Sequence, residues 1–182
     1  CSNPGVSTVN GNTKSKTTST TKENGKASTA EKENEKTIQT FLKVEITGPN
    51  DEFKKAYELK PNQGPNYSLM KAYSKKYFEP LLSKDYYKRF INDHYEMFWL
   101  MPAYQEGYQF KVKNIKLKKQ KDEYNWTAEV DYTKDGITKT STVNGLIDLD
   151  ETGKIAYVRF LQSDNGIWKV VMDYYQPKKK AS

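Results

Sequence analysis

The hydrophobic period changes once along this chain, near Gly107, and that change limits the possible folds more than any other feature. Before Gly107, apolar residues recur at helical spacing, as they do in residues 36–46. After it they alternate with polar residues, most cleanly in residues 124–132. Helices followed by strands that are joined by short turns predict an α+β fold. In such a fold the helices pack on one face of a curved antiparallel sheet.

The helical half is interrupted by prolines and by residues that favour helix ends. Asn50 and Ser83 are expected to cap helices, since their side chains can accept bonds from free backbone N–H groups. Pro80 and Pro102 should break the longest stretch. The predicted helices are 36–46, 51–59 and 66–105, the last in three pieces.

The second half predicts five strands that follow one another as a meander. The phase of the apolar residues slips at Lys113-Asn114, which indicates a bulge. Asn144-Gly145 indicates either a turn or a second slip. Alternation predicts that Trp126 is buried and that Glu129 faces solvent. The predicted strands are 108–117, 124–132, 137–149, 155–161 and 167–175.

Composition divides the chain into three parts. Residues 1–36 hold six Lys, four Glu and twelve Ser or Thr, with almost no large apolar residue. Such a segment cannot offset its ordering entropy by burial, so residues 1–35 are expected to form a disordered tether. Residues 36–177 form the α+β domain, and 178–182 form a basic tail.

The chain's only cysteine, Cys1, precedes that polar segment. Cys1-Ser2-Asn3 followed by a Ser/Thr/Lys-rich tether resembles the mature end of a bacterial lipoprotein. The resemblance implies lipid attachment at Cys1 and a location on the outer face of a bacterial cell membrane. A lone free thiol or an intermolecular disulfide is the alternative.

The formal charge of +7 does not indicate nucleic-acid binding, because the surplus lies at the two ends of the chain. Residues 37–177 carry 21 Lys or Arg against 19 Asp or Glu, and only Arg89 and Arg159 are arginine. A surface that binds phosphates concentrates its positive charge on one face. Partners are therefore expected to be the membrane, an envelope protein or a small apolar ligand.

Three segments of the second half resemble the NTF2-like superfamily of cone-shaped domains. They are Val143–Asp150, Gly153–Val158 and Gly166–Val171, the last of which carries Trp168. The resemblance implies helices packed inside a curved sheet whose last strand bears the tryptophan. It is strongest to lipoproteins of Firmicutes with this domain.

The residues that usually carry catalysis are scarce here. His94 is the only histidine and lies in a polar turn, and no serine-hydrolase elbow or phosphate-binding glycine loop is present. The strand carboxylates should face outward, and Asp148–Thr152 has hairpin-turn spacing, not calcium-loop spacing. We therefore expect no enzyme activity, no cofactor and no metal. An Asp or Glu inside the cone, with a raised pKa and within hydrogen-bond reach of a Tyr hydroxyl, would contradict this reasoning.

Aromatic residues are unusually frequent, with 14 Tyr, 7 Phe and 3 Trp. They can fill the core, or some of them can line a pocket. The candidates for a pocket lining are Tyr77, Phe90, Trp99, Trp126, Tyr132 and Tyr174. We expect a non-enzymatic binding module at the cell surface. One alternative is a pocket protein that binds a small apolar ligand, or transforms it as the ketosteroid isomerases of the NTF2-like superfamily do. The other is an adaptor for an envelope complex or the cell wall.

Overall fold

The computed structural model describes residues 21–163 and 166–177. Helices precede a sheet in this part of the chain, and a last helix follows it, so the α+β fold class is confirmed. The elements are α1 (Thr21–Ile46), α2 (Asp51–Tyr57), α3 (Tyr67–Tyr77), α4 (Lys84–Asn92), a 3₁₀ turn (Tyr95–Met97), α5 (Leu100–Glu106), β1 (Gln109–Gln120), β2 (Glu123–Lys134), β3 (Ile137–Leu149), β4 (Ile155–Leu161) and α6 (Gly166–Tyr175).

Helix α1 is longer than the sequence pattern predicted. It begins at Thr21, within the segment that composition assigned to the tether. Lys, Glu and Ala dominate the added turns, and these residues favour a helix even without an apolar stripe. The Glu31 carboxylate lies 3.4 Å from the Lys119 ammonium and links this end of α1 to β1. Cys1 and the tail 178–182 lie outside the described residues.

The predicted helix caps are confirmed. The side-chain oxygen of Asn50 accepts a bond from the Phe53 N–H at 2.8 Å, and Ser83 accepts one from the Tyr86 N–H at 3.2 Å. Helix α5 ends at Gly107, whose φ of 77° lies in the left-handed region that glycine tolerates best. These local signals set where the helices of the first half begin and end.

The sheet is an antiparallel meander in the order β1-β2-β3-β4. A bulge separates Val112 from Asn114, as the phase slip predicted. Trp126 is 1% exposed and Glu129 is exposed, so the predicted register of β2 is confirmed. The buried face of β2 packs against the helices and forms the centre of the core.

Gly145 lies within β3 and not at a turn, because β3 runs without a break from Ile137 to Leu149. Gly145 pairs with Trp126 across the sheet. A Cβ atom at this position would lie 2.7 Å from Cζ2 of the Trp126 indole and would overlap the Arg159 carbonyl oxygen. The glycine therefore provides the space into which the Trp126 ring packs.

The fifth predicted strand, residues 167–175, is wrong, since this segment forms helix α6. Its buried residues are Ile167, Trp168 and Val171, a spacing that places them on one side of a helix. A short, nearly continuous apolar run does not distinguish a strand from a buried helix. One of the three segments that resemble the NTF2-like superfamily is thus helical, and the sheet has four strands in the described residues.

The two edges of the sheet differ. At the start of β1, Gly48 exchanges two backbone hydrogen bonds with Phe110, of 2.9 and 2.7 Å. At the start of β4, Ile155 bonds to Leu81 and Ser83 in the same way. Beyond that point β4 has no further strand on its outer side among the described residues. The outer edge of β4 is therefore open to strand pairing beyond Ile155, although the Tyr86 hydroxyl bonds to the Val158 backbone.

Candidate functional site

The six aromatic residues predicted to line a pocket do not meet in one cavity. Trp99 and Trp126 are buried in the core, where both rings contact Phe160 at centroid distances of 5.4 Å. Phe90 is buried on α4 and lines a cleft that is described below.

The other three are separated from these. Tyr77 is half-buried on α3, and its hydroxyl donates to the Glu52 carboxylate at 2.8 Å. Tyr132 packs on Tyr108, and Tyr174 lies half-buried on α6 and not on a strand. Sequence periodicity identified buried aromatic residues well, but it could not show which of them share a cavity.

An aromatic cleft of about 350 Å³ opens between α4, the 3₁₀ turn, β4 and α6. Its size lies in the range of small-ligand sites. It is lined by Tyr86, Phe90, Tyr95, Phe98, Tyr157, Val158, Arg159, Phe160, Gln162, Trp168 and Met172. We call this surface the aromatic cleft.

Stacked rings hold α6 against the rest of the cleft. Phe98 stacks on Tyr175 at a centroid distance of 5.2 Å and an interplanar angle of 5°. The Tyr175 hydroxyl also donates to the Phe98 carbonyl oxygen at 2.7 Å. Phe98 contacts Phe160 and Trp168 on its other sides. The walls of the cleft are therefore fixed by packing.

The cleft follows the open edge of β4. Tyr157, Val158, Arg159 and Phe160 are consecutive, yet all four line it. Successive side chains of a strand point to opposite faces, so a cleft confined to one face would contact only alternate residues. The cleft therefore reaches around the strand edge and gives access to the backbone as well as to side chains.

The rim of the aromatic cleft exposes apolar surface. Among the described residues, seven large apolar side chains are exposed, and four of them either line this cleft or adjoin its lining residues. These four are Tyr95, Tyr157, Leu161 and Tyr175, with exposed fractions between 37% and 42%. Contiguous apolar surface of this kind is typical of interaction sites.

The aromatic cleft contains few charged or proton-transferring groups. Arg159 is its one charged lining residue, and Gln162 is the other strongly polar one. The Tyr86 hydroxyl bonds to the Val158 backbone, and burial raises its pKa above the ordinary range. The cleft can thus offer apolar contact, hydrogen bonds and one cation.

A second cleft of about 390 Å³ lies between α3 and α4. We call it the Glu96 cleft, after the carboxyl group in its lining. It is lined by Tyr67, Met70, Lys71, Ser74, Tyr87, Lys88, Ile91, Asn92, His94 and Glu96. His94 is exposed, as predicted for a residue in a polar turn.

Glu96 is 3% exposed, and burial raises its pKa. The Tyr57 hydroxyl donates to its Oε1 at 3.5 Å, and His94 Nδ1 lies 3.9 Å from the same atom. Its Oε2 has no hydrogen-bond partner among the described residues. The sequence reasoning assigned a phase only to carboxylates on predicted strands, so it did not identify Glu96, which lies in the 3₁₀ turn.

Glu45 is a second buried carboxyl, 1% exposed on α1. Burial, and then repulsion from Glu96, raise its pKa well above the usual range. Neither of its oxygens has a partner among the described residues. Periodicity could have identified Glu45, because it lies four residues after Phe41 and three after Leu42, on the apolar stripe of α1.

The strand carboxylates behave as their phase predicted, since none of them is buried. Asp150 organises the β3–β4 hairpin: its Oδ1 accepts bonds from the Thr152 and Lys154 N–H groups at 2.9 and 3.0 Å. In the described ranges, no three His, Cys, Asp or Glu residues are close enough to hold a metal ion. No helix in those ranges is long and apolar enough to cross a membrane.

Neither a protein-family model nor a curated protein sequence matches this chain. Two solved structures resemble it in part. One is the solution structure of TraH, a candidate transfer protein of the Gram-positive conjugative plasmid pIP501, with 18% identity and a TM-score of 0.44 over 74% of this chain and 96% of that one. The other is a de novo β-sheet design, with 18% identity and a TM-score of 0.36 over 74% and 87%. At these scores neither likeness bears on function.

Proposed function

We propose that this domain is a binding module whose aromatic cleft receives an extended polypeptide segment of a partner protein. One observation carries the proposal: the cleft runs along the open edge of β4 and is surrounded by exposed apolar side chains. A segment that pairs with an open strand gains backbone hydrogen bonds, while its alternate side chains enter pockets beside the strand.

The lining indicates which segment fits best. Phe98, Phe160 and Trp168 offer aromatic faces to large apolar side chains. Arg159 is exposed and favours a carboxylate in the segment or at its end. The preferred partner sequence therefore alternates large apolar residues with polar ones and includes an acidic residue.

Binding is favoured over catalysis at this cleft by its composition. No carboxylate, histidine or cysteine lines the aromatic cleft. The general bases and nucleophiles that most enzymes use are thus lacking from its described lining.

The cellular setting remains a proposal from the sequence. Cys1 precedes a polar segment, and lipid at that residue would hold the module at the outer face of a bacterial cell membrane. We also retain, as a proposal, a variant of the NTF2-like domain in which α6 occupies the place of the last strand. The consecutive β3 and β4 strands, joined by a tight hairpin, support it.

The test uses a blocked hexapeptide of alternating Phe and Thr with one Glu, titrated into the full chain while the amide shifts and the side-chain indole N–H shift of Trp168 are followed. We expect shifts in β4 and α6. Tyr157→Ser and Leu161→Ser should weaken binding about tenfold each, since each removes apolar contact. Ile137→Ser is the matched control, because Ile137 is 65% exposed but lies at the β2–β3 turn.

A second peptide separates strand pairing from simple apolar contact. Methylation of alternate backbone nitrogens removes the donors that pair with β4 but leaves the side chains in place. The proposal would be contradicted if the domain bound the methylated peptide as tightly as the parent peptide. It would also be contradicted if Ile137→Ser lost as much peptide affinity as Tyr157→Ser and Leu161→Ser.

A further inference from the structure

The lysines of this domain are unevenly distributed, although its net charge is small. Residues 107–121 hold six lysines and no Asp or Glu. Five of the six lie on β1, one lies in the turn that follows it, and all are exposed. They are Lys111, Lys113, Lys116, Lys118, Lys119 and Lys121. We call this row the β1 lysine edge.

Most of this positive charge has no acidic partner. Lys113 Nζ lies 3.8 Å from an Asp131 oxygen, and Lys119 Nζ lies 3.4 Å from a Glu31 oxygen. The other four lysines form no ion pair among the described residues. Like charges held side by side repel one another, so an anionic partner would stabilise the row.

The position of β1 determines the shape of that partner. Nearby carboxylates lie on β2, where Asp131 is opposite Lys111 and Glu129 is opposite Asn114. Adjacent strands are about 4.8 Å apart, so these acids lie one strand behind the lysines. From Lys111 to Lys119 the row is on the order of 25 Å long. A flat, extended anionic surface that meets the sheet at this edge contacts the lysines first, whereas a small anion spans only a fraction of them.

The residue types of the row favour lipid headgroups over nucleic acid. No arginine occurs on β1, and Phe110, its only aromatic residue, is buried. Nucleic-acid sites use the planar fork of Arg and exposed rings that stack on bases. Clusters of roughly four to eight basic residues at a membrane bind anionic lipids through charge alone.

We propose that the β1 lysine edge binds the anionic headgroups of a lipid bilayer, with the sheet edge-on to the membrane. The proposal depends neither on the function of the aromatic cleft nor on lipid at Cys1. Strand β4 is the opposite edge of the four-stranded sheet, about 14 Å from β1. A domain bound in this way holds its aromatic cleft away from the headgroups, where a partner segment can reach it.

The test measures co-sedimentation of the full chain, produced without lipid modification, with two kinds of vesicle. One kind is phosphatidylcholine alone, and the other contains about one-third phosphatidylglycerol. We expect binding only to the anionic vesicles. Raising the salt from about 0.1 M to about 0.5 M should weaken that binding more than tenfold, because salt screens exposed charges.

A triple variant tests the edge itself. Lys111→Gln, Lys116→Gln and Lys118→Gln together remove three of the four unpaired lysines. Vesicle binding should weaken about 100-fold, at roughly fivefold per lysine near an anionic surface. The replaced side chains are exposed, so the variant should keep the amide spectrum of the folded parent.

The matched control removes the same charge from the other side of the sheet. It replaces three exposed lysines that have no ion pair among the described residues and that lie on α4 and α6, the helices beside the aromatic cleft. These changes are Lys84→Gln, Lys88→Gln and Lys169→Gln. Vesicle binding should weaken no more than about threefold, since these positions are far from the bound edge.

Orientation is tested with bicelles of the anionic composition that carry a spin label on the lipid headgroup. The label should broaden the amide signals of β1 more than those of β4. The opposite order would overturn the proposal.

Three other results would also overturn it. One is an equal loss of binding in the two triple variants, which would show that only net charge matters. Another is equal binding to the neutral vesicles. The third is complete displacement from the vesicles by single-stranded DNA at the same phosphate concentration, which would assign the edge to nucleic acid.

Discussion

Replacing Glu45 with glutamine should make this domain more stable at neutral pH. Glu45 is buried, neither of its oxygens has a partner among the described residues, and its pKa is raised well above the usual range. In the unfolded chain the carboxyl ionises near its ordinary pKa of about 4.3. Between that value and the folded pKa, the folded state binds more protons than the unfolded state, so the free energy of unfolding falls as the pH rises.

The magnitude follows from linkage. One carboxyl that is protonated when folded and ionised when unfolded lowers the free energy of unfolding by about 1.4 kcal/mol per pH unit. This loss continues over the whole pH range between the unfolded pKa and the folded pKa, which burial raises. Glu45→Gln removes this slope, so its gain in the free energy of unfolding over the parent should grow by up to about 1.4 kcal/mol for each pH unit above about 4.3, until Glu45 ionises in the folded parent.

Urea unfolding followed by tryptophan fluorescence at several pH values measures this directly, because Trp99 and Trp126 are buried. Glu129→Gln is the control. Because Glu129 is exposed, this variant and the parent should have nearly the same free energy of unfolding at every pH. The reasoning would be refuted if Glu45→Gln kept the parent's slope with pH, or lost stability equally at every pH.

Three further predictions concern the core and the anchor. Gly145→Ala should lower the free energy of unfolding in urea by about 3 kcal/mol, because the new Cβ would overlap the Arg159 carbonyl oxygen and the Trp126 ring. Gly64→Ala, with open space around it, should lower it by almost nothing, and equal costs would show that these close contacts are unimportant. In the same assay, Trp126→Ala should lower the free energy of unfolding by about 3–5 kcal/mol, whereas Glu129→Gln should lower it by under about 0.5 kcal/mol. Similar values for the two variants would mean that the register of β2 is wrong. Cys1→Ser, expressed from the native gene, should move the protein from the membrane to the soluble fraction of fractionated cells, and firm retention would count against the lipid anchor.

Local signals in the sequence predicted most of the sheet correctly. Strand β2 alternates so regularly that Trp126 and Glu129 could be assigned to opposite faces. The bulge between Val112 and Asn114 was visible because a slip of one residue reverses every side chain after it. Caps at Asn50 and Ser83 were visible because their bonds are local.

Features that depend on tertiary contacts were not predictable in this way. The segment that forms α6 has an apolar run that is compatible with a strand or with a helix. Its packing against β3 and α5 favours the helix. The clefts escaped prediction because their lining residues come from distant elements. Glu45 was missed for another reason: only carboxylates on predicted strands were assigned a phase, although the stripe of α1 already included this position.

The unequal edges of the sheet limit how many neighbours this domain can join through its strands. Strand β1 begins against Gly48 and carries five lysines, Lys111, Lys113, Lys116, Lys118 and Lys119, which disfavour the approach of another strand. Strand β4 carries one cation, Arg159, and stays open. A sheet with one receptive edge is monovalent: two copies that met at β4 would close off each other's edge, and no fibre could grow from them. The domain can thus expose one unpaired strand edge without polymerising.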